Sequence, residues 1–293
     1  MYSVLNITKD YDANNSIMSS NIGHEENDFL ESCKFASKYH FQGINLDLEC
    51  PKYTVSEMQG FLQNYKLIPA SFHLTVKLLG SEIEFYKSLE DFSRQAIMAE
   101  KLGCNVALKY LPPFSEKYNF DEQFHLYVKR LQILRPFLVK HNLKIAFEFI
   151  GPAETRLHAK YDFIHTIDGV RCLISAANLY HYAGFKLDIH HWQHSAASLL
   201  DLEHLDLEYI LYVELNDGLP GYNYLTIPEF KRKLPLKTGV NNIKDFLKTL
   251  QKKGYSGPVA VEPWDLDITN LPIEEAIKLV KDSLDECFYL IQN

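Results

Sequence analysis

The sequence lacks the paired cysteines of a disulfide-bonded or zinc-binding domain. It has five scattered cysteines and no CxxC pair, at positions 33, 50, 104, 172 and 287. This pattern predicts reduced thiols and a cytoplasmic protein. No apolar stretch approaches the length of a transmembrane helix. The first ten residues lack the basic flank and long apolar stretch of a signal peptide. We therefore expect no association with a membrane.

The chain also lacks an excess of positive charge and a nucleotide-binding motif. Its formal net charge is -8, whereas a protein that binds nucleic acid through phosphates needs a basic face. No GxGxxG or GxxxxGK[ST] run opens a helix. The net charge therefore disfavours a nucleic-acid partner, and nucleotide binding has no motif to support it.

What the sequence does contain is a regular alternation of strand-like and helix-like segments. Its 293 residues, 46% of them hydrophobic, are enough for one large core. Strands are predicted at residues 16–22, 43–48, 67–74, 104–110, 144–150, 184–189, 209–215 and 259–262. Eight strand–helix units without an internal linker predict an α/β protein with a (β/α)8 TIM barrel, in a single domain over residues 1–293. Residues 1–15 are then an N-terminal extension, and a doubly wound open sheet is the alternative.

Four acidic residues lie within or at the ends of predicted buried strands five to eight: Glu148, Asp188, Glu214 and Glu262. We call them the carboxylate set. A single acid near a strand end is most often a helix cap or a salt-bridge partner. Desolvating four charges, however, costs several kcal/mol each unless they share a counter-charge. In a barrel these strand ends converge at the mouth, so the pattern predicts a divalent metal held by oxygen ligands.

Other polar residues are predicted to lie near the same mouth. His191 follows Asp188 by three residues, where the chain leaves the strand, so both can bind one metal or one substrate. His73 ends the third strand, Lys109 ends the fourth, and Trp264 comes two residues after Glu262. We expect these side chains to contact substrate, although a packed histidine, a solvated lysine and a core tryptophan are the common alternatives.

Four segments resemble the xylose isomerase-like barrel superfamily, and within it the sugar phosphate isomerase/epimerase group. They are residues 147–152 (FEFIGP), 185–192 (FKLDIHHW), 212–218 (YVELNDG) and 254–263 (GYSGPVAVEP). The last is similar to the GYxGPVxxEP ending common in that group. The resemblance covers about residues 16 to 290 and is clearest after residue 144.

The resemblance implies a metal held by Glu, Asp, His and Glu, which maps onto Glu148, Asp188, Glu214 and Glu262. Glu214 departs from the group, because His or Gln is common there. Four ionised carboxylates around one M²⁺ leave a formal charge of -2, which favours Mn²⁺ or Mg²⁺ over the alternatives Co²⁺ and Zn²⁺. Like charges should also raise the pKa of one glutamate. If Glu214 instead turns away, the site binds metal weakly or not at all.

Further positions follow from the same resemblance. His191 matches the group's substrate-contacting histidine, and Glu154 matches a polar substrate position in some relatives. The LPGxxG segment of the group is LPLKTG here, at residues 234–239, with Leu236 in place of the first glycine. Arg232 precedes this segment and is predicted to reach the substrate. Asn45 stands where the group often has Glu.

The implied activity is that of a metal-dependent isomerase or epimerase of carbohydrate metabolism. Glu148 and Glu262 would exchange protons with a small sugar or polyol through a metal-stabilised enediolate. A dehydratase of a keto-polyol on the same barrel is one alternative. A sugar-binding barrel that has lost catalysis is another, suggested by Glu214 and Leu236. The oligomeric state stays open, with a homo-oligomer allowed.

Overall fold

The computed structural model describes residues 1–6, 10–11, 17–18, 28–49 and 52–292, which form a closed barrel of eight parallel strands. The strands are β1 Tyr2–Leu5, β2 Gly43–Leu46, β3 Ile68–His73, β4 Val106–Leu111, β5 Lys144–Phe149, β6 Ala183–Asp188, β7 Ile210–Leu215 and β8 Pro258–Val261. Each strand pairs with its neighbours in sequence, and β1 pairs with β8 to close the barrel. The predicted single-domain TIM barrel is confirmed.

Helices surround the barrel and connect its strands. They are α1 Phe29–Lys38, α2 Val55–Tyr65, α3 Glu82–Leu102, α4 Phe120–His141, α5 Ile167–Ala176, α6 Ile189–Gln193, α7 Leu199–His204, α8 Ile243–Lys252, α9 Leu266–Thr269 and α10 Ile273–Tyr289. Capping boxes begin several of them, such as Ser81 with Glu84 at α3. Within the described ranges, no helix combines the length and the apolar character needed to cross a bilayer.

The first barrel strand differs from the prediction. Tyr2–Leu5 pairs with Gly43 and Ile44 on one side and with Pro258 and Val259 on the other. The prediction that residues 16–22 form the first barrel strand is therefore wrong. So is the prediction that residues 1–15 are an extension, because Tyr2–Leu5 is that strand. Of that predicted strand, Ile17–Met18 form a two-residue strand paired with Asp10–Tyr11, and the remainder lies outside the described residues. The residues after Tyr2–Leu5, NITKDYDANN, lack the apolar spacing of a helix, so this segment is not recognisable as the strand of a strand–helix unit.

The other seven predicted strands are confirmed to within two residues at each end. The segment after β6 differs more. The sequence predicts one helix over residues 194–200 between β6 and β7, whereas the structure has two short helices there, α6 directly after β6 and then α7. The reason is capping: Asp188 caps α6, and Ser198 forms a capping box with Asp201 at the start of α7.

The barrel interior changes from apolar to polar toward the carboxyl ends of its strands. Val4, Ala70, Ala146 and Ala260 belong to an apolar cluster inside the barrel. Next to it, Asn45 donates a hydrogen bond to the Tyr212 hydroxyl (2.9 Å). Asn45 also accepts one from the Ser71 hydroxyl (2.7 Å). Asn45, at the position where relatives often have Glu, thus belongs to a neutral hydrogen-bond network.

Gly151 allows the end of β5 to approach the chain that follows β6. A Cβ at this position would lie 2.0 Å from the backbone oxygen of His191 and 2.9 Å from the backbone nitrogen of Ser195. Since both contacts are backbone atoms, the clash cannot be relieved by a side-chain rotation. We expect Gly151→Ala to lower the free energy of unfolding by about 1–3 kcal/mol, as overpacking does, which thermal or urea unfolding would measure.

Gly60→Ala is the matched control for this prediction. Gly60 lies inside α2, and a Cβ there meets nothing within 4 Å. Replacing a helical glycine with alanine should raise stability by up to about 1 kcal/mol. Equal effects of the two substitutions would show that the contact with His191 is not tight.

Candidate active site

The carboxylate set comes together inside the barrel at the carboxyl ends of its strands. Glu148 lies on β5, Asp188 ends β6, Glu214 lies on β7 and Glu262 directly follows β8. Their relative exposures are 6%, 1%, 0% and 5%, in that order. Asp188 and Glu214 are partners in the strand register. The predicted convergence of these four side chains is thus present, and all four are buried.

Lys186 provides part of the counter-charge that these acids require. It lies on β6 two residues before Asp188, so both side chains point to the same face of the strand. Its Nζ lies 2.8 Å from Glu214 Oε2 and 3.0 Å from Glu148 Oε2. It is also 4.0 Å from Glu262 Oε1. One buried ammonium therefore lies within 4.0 Å of carboxylates from β5, β7 and the end of β8.

Arg232 provides the second buried cation. Its Nη1 donates to Asp188 Oδ2 at 2.9 Å and to Glu262 Oε2 at 2.6 Å. Its Nη2 also donates to the Glu229 carboxylate, and its Nε donates to the Glu229 backbone oxygen at 2.8 Å. Glu229 is buried as well. The guanidinium is thus oriented by Glu229 and bridges two members of the carboxylate set.

A ligand group of suitable size exists in this cluster. Among the described residues, Glu148, Asp188, His191 and Glu262 each offer a ligand atom, and these atoms all lie within 4.8 Å of one another. Metal–ligand distances of about 2.0–2.2 Å place opposite ligands roughly 4.3 Å apart. The group therefore fits a divalent cation after a contraction of a few tenths of an ångström.

Asp188 also fixes the position of His191. Asp188 Oδ1 accepts from the backbone nitrogens of His190 (2.6 Å) and His191 (3.3 Å), as the N-cap of α6. Its Oδ2 accepts from Asn216 Nδ2 at 2.8 Å. His191 Nε2 then lies 3.5 Å from Glu148 Oε1. The Asp-x-x-His spacing thus brings the two side chains into one cluster through a helix cap.

Burial and mutual repulsion favour the protonated forms of several acids. Burial, partly opposed by Lys186, raises the pKa of Glu148 to about 8. Burial, opposed by Arg232, raises the pKa of Asp188 to about 6 and that of Glu229 to about 7. Burial and then the charge of Glu262 raise the pKa of Glu214 well above its usual value. The expected rise in a glutamate pKa is found, with desolvation as the larger cause.

His73 and Lys109 lie close to this cluster in the fold. His73 ends β3 and is half-buried; burial, Lys109 and Lys186 lower its pKa to about 3, so the ring is neutral near pH 7. Lys109, on β4, donates to the backbone oxygen of Leu74 at 3.5 Å. Burial lowers the pKa of Lys109 to about 8, partly opposed by the charge of Glu49. Substrate contact by both residues stays a prediction.

Trp264 and Glu154 lie on segments that follow barrel strands. Trp264 is half-buried and packs edge-to-face against Phe230, which is 58% exposed. Their ring centroids are 5.6 Å apart, so an aromatic pair lies next to Glu262 at the mouth. Glu154 is exposed, in the short turn Ala153–Arg156 after β5. Their roles toward substrate also stay predictions.

The long loop over residues 217–238 is held by Asp217. This buried carboxylate accepts from the backbone nitrogens of Thr238 (2.8 Å), Gly239 (2.8 Å) and Asn241 (2.9 Å). Leu236 has φ 68°, a left-handed conformation that glycine adopts without strain. The loop therefore needs at this position the backbone conformation that the group's glycine would provide.

Sequence reasoning missed two residues of the cluster, Lys186 and Glu229. Lys186 had a signal, because its two-residue spacing from Asp188 places both side chains on one face of a strand. Glu229 had none, since it lies in a loop without periodicity. Its part in the cluster depends on how that loop folds over the barrel.

Comparisons with known proteins agree with this architecture. The chain is 26% identical to an inosose isomerase of Halalkalibacterium halodurans over 264 residues, which cover 88% of this chain and 89% of that protein. Its fold is similar to that of a xylose isomerase domain protein from Alicyclobacillus acidocaldarius subsp. acidocaldarius, with a TM-score of 0.80 and 21% identity. That likeness covers 92% of this chain and 96% of the other.

A second solved structure with this fold is the IolI protein with a bound zinc atom. The TM-score is 0.77 at 16% identity, and the likeness covers 98% of each chain. The family model described as xylose isomerase-like TIM barrel matches residues 33–286, which is most of the sequence. Together with the closed barrel, this match shows that the chain belongs to the xylose isomerase-like TIM-barrel family.

Proposed function

We propose that this protein is a divalent-metal-dependent isomerase or epimerase of a sugar or polyol. The observation that carries the proposal is an imbalance of buried charge. Five carboxyl groups, the carboxylate set and Glu229, share one cluster with two cations, Lys186 and Arg232. If all five are ionised, three negative charges stay uncompensated in a region of low dielectric, where each costs several kcal/mol. A divalent cation removes most of this excess.

Glu148, Asp188 and Glu262 are the proposed carboxylate ligands of the metal. Their oxygens belong to the ligand group of suitable size, and Glu214 and His191 are the candidates for a fourth ligand. When bound, the ion supplies Lewis-acid polarisation of a substrate carbonyl. Oxygen ligands suit Mn²⁺ and Mg²⁺. The zinc atom in the IolI structure supports including Zn²⁺ and Co²⁺ in every assay.

Glu148 and Glu262 are the proposed proton carriers. They come from β5 and from the end of β8, on two sides of Asp188 and Glu214, so they can face a substrate from different directions. One takes a proton from the carbon next to the carbonyl, and the other returns one. Return to the opposite face of the same carbon gives epimerisation, and return to the former carbonyl carbon gives isomerisation.

Several residues are proposed to bind and orient the substrate. Arg232 and His191 are already within the cluster, and Arg232 can offer a guanidinium to a hydroxyl or carbonyl oxygen. Trp264 can cover an apolar sugar face. His73, Lys109 and Glu154 complete the proposed set. The inosose isomerase of Halalkalibacterium halodurans supports testing inososes first, followed by ketoses and keto acids.

A dehydratase is the second candidate, since a probable 3-DHS dehydratase from Bacillus anthracis shares the fold with a TM-score of 0.67. A D-psicose 3-epimerase shares it with a TM-score of 0.69, so the fold does not separate the two reactions. Analysis of the products for loss of water would separate the two reactions. A barrel that binds sugar without catalysis would show no turnover on the full panel with any of the four metals.

Removal of either proposed proton carrier should abolish turnover. We expect Glu148→Gln and Glu262→Gln each to lower kcat about 10²- to 10⁴-fold on a substrate found in the panel, the usual contribution of a general acid or base. Glu90→Gln, an exposed glutamate on α3, is the control and should keep wild-type rates. Wild-type kcat in either site variant would contradict the assignment.

Arg232 should compete with the metal for the same oxygens. Its Nη1 hydrogen-bonds Asp188 Oδ2 and Glu262 Oε2, which both belong to proposed ligands. We expect Arg232→Met to tighten binding of Mn²⁺ about tenfold by calorimetry, because a positive charge beside the site is lost. The KM for substrate should rise in the same variant. Weaker metal binding would show instead that Arg232 organises the ligands.

In the metal-free protein, Glu148 should lower stability as the pH rises from about 4.5 to 8. Over this range an unfolded glutamate loses its proton, whereas the buried Glu148, with its pKa raised to about 8, keeps it. The folded state then binds more protons, so this one group lowers the free energy of unfolding by about 1.4 kcal/mol per pH unit. His73, with its pKa lowered to about 3, gives the opposite slope below about pH 6.5. The effect of Glu148 is therefore measured as the difference in slope between wild type and Glu148→Gln, by thermal unfolding with a chelator.

Two comparisons check that the effect has this origin. Glu148→Gln removes one titrating group and should make the slope less negative by about 1.4 kcal/mol per pH unit, while other buried acids such as Glu229, with its pKa raised to about 7, keep their contribution. Glu90→Gln should not change the slope. Saturating Mn²⁺ should reverse the contribution of Glu148, because it binds the ionised carboxylates. Equal slopes in wild type and Glu148→Gln would contradict the raised pKa.

A further inference from the structure

The two candidates for the fourth metal ligand, Glu214 and His191, have different surroundings. Glu214 is 0% exposed, and its Oε2 lies 2.8 Å from Lys186 Nζ. Within the described part of the chain, the group of ligand atoms within 4.8 Å of one another includes His191 and does not include Glu214. Lys186 is thus placed to hold Glu214, and His191 is placed with the other ligands.

We propose that Lys186 is a positioning residue that keeps Glu214 out of metal coordination, so that His191 Nε2 is the fourth ligand. This proposal rests on the metal-dependent function proposed above. It replaces the four-carboxylate site inferred from the sequence with a site of three carboxylates and one imidazole. Lys186 Nζ also lies 3.0 Å from Glu148 Oε2, but the other oxygen of Glu148, Oε1, lies 3.5 Å from His191 Nε2, so Glu148 still offers an oxygen to the metal.

The position of the His191 ring supports this assignment. Its Nε2 lies 3.5 Å from Glu148 Oε1, 3.4 Å from Glu229 Oε1 and 3.3 Å from Arg232 Nη2. The ring therefore directs one nitrogen into the carboxylate cluster, where a neutral imidazole can donate its lone pair to a cation. The cap from Asp188 holds the backbone of His191, so the ring need not be recruited from elsewhere.

Charge makes the exchange of ligands reasonable. Glu214 and Lys186 form an ion pair of zero net charge when both are ionised, and neither belongs to the proposed coordination sphere. Three carboxylates, a neutral imidazole and M²⁺ then carry a formal charge of -1, compared with -2 for four carboxylates. A nitrogen ligand also strengthens binding of Mn²⁺, Co²⁺ and Zn²⁺ relative to Mg²⁺. The preference for Mn²⁺ or Mg²⁺ that the sequence predicts would therefore shift away from Mg²⁺ and toward Mn²⁺, Co²⁺ and Zn²⁺.

Nitrogen coordination can be measured without any substrate. We would load the full-length protein with Mn²⁺ and record electron spin echo envelope modulation, which detects a directly bound ¹⁴N. Wild type should show the nitrogen signal, and His191→Gln should lose it while its Kd for Mn²⁺ rises about tenfold or more. Glu214→Gln should keep the signal.

The double variant Lys186→Met/Glu214→Gln is the matched control. It removes a charge pair of zero net charge, and such replacements of buried pairs are often tolerated. We expect it to keep the nitrogen signal and a Kd within about threefold of wild type, because no ligand is lost. Lys186→Met alone frees Glu214 to bind metal and should tighten Mn²⁺ binding. Unchanged Mn²⁺ binding in the double variant and tighter binding in Lys186→Met would not both follow from a general loss of folding.

The outcomes separate this inference from the proposed function. If wild type binds Mn²⁺ without a nitrogen signal, or if His191→Gln keeps the signal, the ligand assignment is overturned and the metal-dependent function stands. If Glu214→Gln loses the metal as completely as Glu148→Gln does, Glu214 is a ligand and the role of Lys186 is wrong. If wild type binds no divalent ion, the proposed function fails, and the inference fails with it.

Discussion

Burying five carboxyl groups in one cluster is the constraint on which the rest of this structure depends. Each uncompensated charge costs several kcal/mol, and the net stability of a domain is only about 5–15 kcal/mol. The chain meets part of the cost with Lys186 from the barrel wall and Arg232 from a loop. The remaining negative charge is what makes the site attractive to a divalent cation. The cluster is therefore stable only as a unit of acids, internal cations and a bound ion or protons.

Because Arg232 comes from the loop over residues 217–238, the folding of this loop and the charge of the site are linked. Asp217 binds three backbone nitrogens at the far end of the loop and so fixes where Arg232 can reach. Leu236 keeps the left-handed conformation at φ 68° although it is not a glycine. Leu236 thus has the backbone conformation that a glycine adopts without strain. The altered LPGxxG segment is for this reason weak support for a barrel without activity.

The barrel and the carboxylate set could be predicted from sequence because both give repeated signals. Alternating segments define seven strands, and four acids in apolar strands indicate a shared counter-charge. Tyr2–Leu5 could not be recognised, since no helical spacing follows it directly and its place in the barrel arises only when β8 pairs with it. Glu229 lies in a loop, where sequence distance says little about contacts. Lys186 could have been found from its two-residue spacing to Asp188, which places both side chains on one face of the strand.

The pairing of β1 with β8 has a consequence for how this chain is made. Tyr2 is a register partner of Pro258, so the barrel is closed by a contact between residues near opposite ends of the sequence. On the ribosome, the first strand has only β2 as a neighbour until the last strand has emerged. One edge of the sheet is exposed throughout that time, and exposed edges invite pairing with other chains. Closure of this seam is then a late step of folding, and substitutions in Tyr2–Leu5 should affect yield in cells more than they affect the finished site.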